Sequence, residues 1–205
     1  MIETLIVGNL ATNCYLYYSK SKDCIIIDPG DDPEYIIDSI IKLGLNPIAI
    51  IATHGHFDHI LSVDQLKQTY KIPFYCSLKD NFLVKTMKQR ATKWLSRKIY
   101  EVNPKIDIDL MNTFSLGEIE FTILETPGHT PGSICLYSKK DNIIFSGDTI
   151  FANGDIGRYD FSYSNKLQLE KSIHLILQLT DETEIYSGHG ESTDVKKEKK
   201  YHKTI

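Results

Sequence analysis

The stretch IATHGHFDHI, Ile51–Ile60, decides how this chain is read. Residues 54–59 hold three histidines and an aspartate, in a chain that has only 7 histidines. Residues 48–52 (IAIIA) read as a buried strand by composition, so the polar cluster sits at a strand end. Along an extended segment, side chains i and i+2 project to the same side. His54 and His56 could therefore share one ion, and a turn at Phe57 could redirect Asp58 and His59 to a second. A crowded, solvated loop is the alternative reading of the same residues.

Outward from this stretch, three more polar turns follow apolar runs: TPGHTPGS with His129, FSGDT with Asp148, and SGHG with His189. A sandwich could bring all four turns to one edge. Imidazole and carboxylate together suit zinc, iron or manganese. The four cysteines, Cys14, Cys24, Cys76 and Cys135, form no C-x-x-C pair and lie in or at the end of strand-like runs. There a cysteine acts as a small hydrophobe, which argues against a four-cysteine zinc site and against a disulfide framework.

The remaining pattern predicts the layers. Residues 3–7, 14–18 and 24–27 are β-branched and aromatic, with turn signals between them, and read as an antiparallel meander. Asp32-Pro33-Glu34 starts a helix, with Asp32 as its cap, that ends near Gly44. A helix over residues 60–70, a strand over 73–76, strands over 119–124, 134–137 and 143–145, a helix over 165–179 and a strand over 184–186 follow. The two halves echo each other, IIIDPG with IIFSGD and IIATHGH with IYSGHG. The prediction is an α/β (α+β) fold, a four-layer αββα sandwich in a single domain over 1–205. Residues 79–104 read as a helical insert near the site, with Phe82, Met87 and Trp94 as its apolar face or, alternatively, as the lining of a substrate cleft. Residues 195–205 read as a basic, solvated tail that includes His202. His174 reads as packed or partly exposed.

Composition narrows the function classes. The 205 residues are 41% apolar and 24% charged, with a net charge of −4. That balance suits a globular domain and argues against a nucleic-acid or membrane-surface partner. No signal-peptide pattern and no run of about 18 apolar residues is present, so a soluble cytoplasmic protein is expected.

The order T-H-x-H-x-D-H, G-H-T, G-D-T and S-G-H-G resembles the metallo-β-lactamase superfamily of hydrolases, along essentially the whole chain. ETPGHTPGSICLY and FSGDTIFANGDIGRYDF are most similar to the glyoxalase II branch, the hydroxyacylglutathione hydrolases. The form expected is a short one that lacks the C-terminal helical domain of the long enzymes. The resemblance implies a metallo-β-lactamase fold with two divalent cations, zinc first and iron or manganese as alternatives. His54, His56 and His129 would hold one cation, Asp58, His59 and His189 the other, and Asp148 would bridge them. It further implies hydrolysis of a small S-acylglutathione-like thioester by a bridging hydroxide, with Asp58 and Asp148 in catalytic roles. Arg158 stands where the family places a basic residue near the substrate and would hold a carboxylate; an ion pair with Asp155 or Asp160 is the alternative. Asp28 is implied as acceptor for the outer N–H of a ligand histidine. Competing readings are a persulfide dioxygenase with one iron on His54, His129 and Asp148, a lactonase or β-lactamase, and a non-enzymatic structural metal centre. The expected partner is a small molecule, and the chain is expected as a monomer or homodimer.

Overall fold

In the strand Asp23–Ile27, Cys24 and Ile26 face one way and Ile25 and Ile27 the other, and all four are buried. A strand buried on both faces belongs inside a layered fold. The computed structural model, which describes residues 1–99, 104–110 and 112–202, has that arrangement. The first sheet contains, in spatial order, β1 (Ile2–Val7), β2 (Thr12–Tyr18), β3 (Asp23–Ile27), β4 (Asn46–Ile51), β5 (Phe74–Cys76) and β6 (Ile108–Asp109). The second runs from β7 (Thr113–Leu116) through β8 (Ile119–Glu125), β9 (Ile134–Ser138), β10 (Ile143–Gly147) and β11 (Glu184–Ser187) to β12 (Thr193–Asp194). Helices α1 (Pro33–Leu43), α2 (Phe57–Ile60), α3 (Val63–Tyr70) and α4 (Asn81–Leu95) belong to the first half, α5 (Lys166–Leu177) and α6 (Val195–Glu198) to the second.

Side-chain alternation sorts the apolar residues into three cores, which define the four layers. Cys24, Ile26 and Ile50 join helix residues such as Ile36, Ile40 and Leu66 in an outer core. Ile25, Ile27 and Ile51 meet Leu136, Phe145 and Phe121 between the sheets. There Tyr15 packs on Phe145 and Tyr17 on Phe121, each at a ring-centroid distance of 5.0 Å. Cys135 and Ile144 pack outward against Leu169, Ile173 and Ile176 of α5. The αββα sandwich expected from the sequence is the fold observed.

The echo between the halves is a real repeat of topology. β1, β2 and β3 pair antiparallel, and β4 returns parallel to β3 after α1. β8, β9 and β10 likewise pair antiparallel, and β11 returns parallel to β10 after α5. The carboxyl ends of β4, β8, β10 and β11 deliver the four polar turns to one edge of the sandwich, the place where layered α/β folds bind ligands.

Three expectations are corrected. The helix expected over residues 60–70 is broken into α2 and α3, because Ser62 gives its N–H to the Pro29 carbonyl (3.1 Å). Asp32 stands at the start of α1 but does not cap it; its carboxylate accepts the Gly8 N–H at 2.8 Å. The basic tail is folded as far as His202. Glu198 of α6 is buried and accepts from Gly154 N (2.8 Å) and Thr193 Oγ1 (2.7 Å), and His202 is buried with it. Within the expected insert, α4 is observed and residues 100–103 lie outside the described residues. The four cysteines are free and buried, and His174 is exposed.

Candidate metal centre

The turn after β4 aims His54 and His56 into the edge, and the single-turn helix α2 presents Asp58 and His59 beside them. The turns after β8, β10 and β11 add His129, Asp148 and His189. The seven side chains fall into two groups, His54, His56, His129 and Asp148 in one and Asp58, His59 and His189 in the other. Within each group the possible ligand atoms lie within 4.8 Å of one another. Every residue that the sequence reading assigned to a metal is therefore brought to one place, with Asp148 falling in the first group.

The ring nitrogens that point away from the centre all have partners. His59 Nδ1 donates to Asp28 Oδ2 (3.0 Å), His129 Nδ1 to the Arg158 carbonyl (2.7 Å) and His189 Nδ1 to the Leu10 carbonyl (3.1 Å). Thr53 Oγ1 donates to Asp28 Oδ2 at 2.7 Å, so it accepts from His54 Nδ1 at 3.1 Å. These acceptors place the protons on the outer nitrogens and leave inward lone pairs, the tautomers a cation needs. His56 is turned the other way, with Nε2 on the Tyr163 hydroxyl (2.8 Å) and Nδ1 facing inward.

The inward atoms crowd as ligands do. His56 Nδ1 lies 3.0 Å from His54 Nε2 and 2.9 Å from His129 Nε2. Asp148 stands between the groups, its Oδ1 3.4 Å from His59 Nε2 and its Oδ2 3.5 Å from His129 Nε2 and 3.7 Å from His189 Nε2. His59 Nε2 and Asp148 Oδ1 are buried and have no hydrogen-bond partner. Buried polar atoms are rarely left so, and a cation between them satisfies both. The donor set of five imidazoles and two carboxylates fits two divalent cations.

The electrostatics agree. Burial pushes the His54 imidazole well below its ordinary value and His56 down to about 3, so both are neutral and ready to ligate. Burial acts against ionisation of Asp148, but the facing histidines, His59 first, hold it well below the usual carboxylate range.

Two positioning residues had no signal in the sequence. Asp80, fully buried at the start of α4, accepts from Gly55 N (2.9 Å), Thr130 Oγ1 (2.6 Å) and Gly132 N (2.7 Å). One carboxylate thus ties the His54–His56 turn to the His129 turn. Asn13 of β2 gives its side-chain amide to the carbonyls of Ser187 (3.0 Å) and Gly190 (2.9 Å), and holds the His189 turn across the sandwich.

A cavity of about 380 Å³ opens over the centre. Its histidines and aspartates are all members of the two groups, and the rest of its wall is Leu10, Phe57, Phe151, Ile156, Phe161, Tyr163, Trp94, Arg90 and Arg158. Trp94 is therefore a wall of the cavity, whereas Met87 packs in the core. Arg158 lines the cavity but pairs with Asp160 through two bonds, 3.0 and 2.8 Å, the alternative weighed for it above.

Fold and site define a metallo-hydrolase, and the sequence comparisons agree. The profile of the Metallo-beta-lactamase superfamily matches residues 7–189, and the chain belongs to that superfamily as a metal-dependent hydrolase. Hydroxyacylglutathione hydrolase GloC of Haemophilus influenzae is 35% identical over 209 residues, which cover 97% of this chain and 95% of GloC. The probable metallo-hydrolase YqgX of Bacillus subtilis is 35% identical over 193 residues, 92% of this chain and 90% of YqgX. Among solved structures, the BLEG-1 B3 metallo-beta-lactamase superposes with a TM-score of 0.91 at 34% identity over 98% of both chains. TTHA1623, solved in a di-iron-bound form, superposes with a TM-score of 0.87 at 32% identity over 96% of both. Among the described residues, no helix is long and apolar enough to cross a membrane.

Proposed function

We propose that this chain hydrolyses small acyl thioesters of the S-acylglutathione type. The observation that carries the reading is the composition of the cavity wall, where every histidine and aspartate belongs to the candidate ligand groups. Among the described residues of the wall, no independent carboxyl or imidazole remains to protonate a poor leaving group. A thiol, with an ordinary pKa of about 8.5, departs as thiolate without one. The similarity to GloC supports the same substrate class.

The chain's own residues would hold the cations in two sets, His54, His56 and His129 in one and Asp58, His59 and His189 in the other, with Asp148 shared. When bound, two such cations lower the pKa of a water to supply a nucleophile near neutral pH and stabilise negative charge developing on a carbonyl oxygen. Asp28 and the Arg158 and Leu10 carbonyls keep the imidazole protons outside the centre. Phe151, Ile156 and Phe161 exclude bulk water from one side of the acyl group.

A β-lactam substrate is the second reading, supported by the likeness to the BLEG-1 B3 metallo-beta-lactamase. It fits the wall less well, because an amide nitrogen needs a proton to leave. The deciding experiment measures metal content per chain on protein purified without added metal, then S-lactoylglutathione and nitrocefin hydrolysis on the same sample. Two metals with thioester turnover are expected. A metal-loaded protein that turns over only nitrocefin overturns the thioester reading, and one iron with oxygen uptake on glutathione persulfide overturns both.

A further inference from the structure

The pairing of Arg158 with Asp160 leaves a different cation facing the cavity. Arg90 is half-buried on α4, and its Nε donates to Thr86 Oγ1 one turn back at 3.0 Å. Its guanidinium lies over the ring of Tyr163, 5.5 Å from the centroid. Among the described residues no carboxylate pairs with it. A guanidinium cannot escape its charge by losing a proton, and the N–H donors not used by Thr86 and the Tyr163 hydroxyl remain to meet a carboxylate. The Tyr163 hydroxyl is bonded to His56 Nε2 at 2.8 Å and is also acted on by Arg90, so one tyrosine links the cation to a candidate metal ligand. Trp94 follows Arg90 by four residues, shares its helix face and lines the same cavity.

We propose that Arg90 determines specificity at this site by binding a carboxylate on the leaving-group half of the substrate, with Trp94 and Tyr163 as walls for the intervening chain. The substrate class is then an acyl thioester whose thiol carries a carboxylate, an inference that rests on the thioester reading. The test compares S-lactoylglutathione with its diester, in which both carboxylates are capped, on the metal-loaded wild type, Arg90→Gln and Arg90→Lys. Arg90→Gln is expected to raise KM for the free acid about tenfold with little change in kcat, and to lower the preference over the diester by the same factor. Arg90→Lys is expected to keep part of the preference, since the charge remains and the fork is lost. Equal changes on both substrates, or none on either, overturn the role of Arg90 and leave the thioester reading in place. A wild type that hydrolyses neither substrate overturns the thioester reading instead. Binding of the thioether S-methylglutathione and of its diester, measured by calorimetry, then judges Arg90 separately; equal affinity of wild type and Arg90→Gln for the free acid rejects it.

Discussion

Asp28 accepts from Thr53 N (2.7 Å), from Thr53 Oγ1 and from His59 Nδ1, and through Thr53 it also orients His54. It therefore reaches one histidine of each ligand group. Asp28→Asn is expected to weaken metal binding about 10- to 100-fold, the usual effect of removing an outer acceptor. Competition with a chromophoric chelator measures this, and unchanged affinity would reject the orienting role. Protonation gives a second prediction. Burial opposes charge on His59, but Asp148, Asp28 and Asp58 hold its imidazole well above the ordinary 6.5 in the metal-free protein. The folded value lies above the ordinary one, so in the metal-free protein a proton competes for the inward nitrogen that a cation would take. Metal loading at pH 7 should release protons, less so as the pH rises through the raised value, and calorimetric heats that do not depend on the buffer would refute this. The same sign means that the metal-free fold holds this contribution to stability fully below pH 6.5 and loses it as the pH rises through the folded value. At this scale the seven candidate ligands were legible, because short spacings and strand ends concentrate them. Asp80, Arg90 and Tyr163 were not, since each acts on residues far away in the chain and none stands in a motif.

Elements meet the ligand turns at two backbone contacts that repeat between the halves. A Cβ added at Gly30 would lie 1.8 Å from the Asp58 carbonyl oxygen, and one at Gly157 would lie 1.8 Å from that of Asp148. Gly30→Ala and Gly157→Ala should therefore each push a ligand residue out of place and lower bound metal per chain; full occupancy in both, by elemental analysis, would contradict the close approach. Asp80 acts between elements in the same way. Asp80→Ala leaves two buried N–H groups without an acceptor and takes one from the Thr130 hydroxyl, and should cost ~3 kcal/mol or more in a urea melt. Strands such as β3 and β10 were readable because both of their faces are buried, which makes them short continuous apolar runs. The two-residue strands β6 and β12 carry too few side chains to show a period. The break between α2 and α3 depends on a carbonyl at Pro29, which helical spacing alone does not report.

Each candidate ligand group draws on both halves of the molecule, so a bound cation fastens one sheet to the other. Chelation should lower the melting temperature, since a ligand held at a thousand times its Kd adds about 4 kcal/mol to stability. A thermal scan with and without chelator checks this, and identical transitions would mean that the sheets need no such fastening. The layered architecture was legible in the echo of the two halves. The folded tail was not, because its lysine-rich composition masks Val195 and Glu198, the two residues of α6 that are buried.

Asp80 stands at the root of α4 and holds two ligand turns, while Arg90 and Trp94 sit near the far end of the same helix. Descendants of this chain that drift toward new substrates are free to exchange residues at that outer end. Moving the helix bodily would drag the carboxylate on which both turns hang. Within the lineage, variation should therefore gather at positions 90 and 94 and spare position 80, so that new tastes are acquired by replacing side chains and the ancestral chemistry is inherited intact.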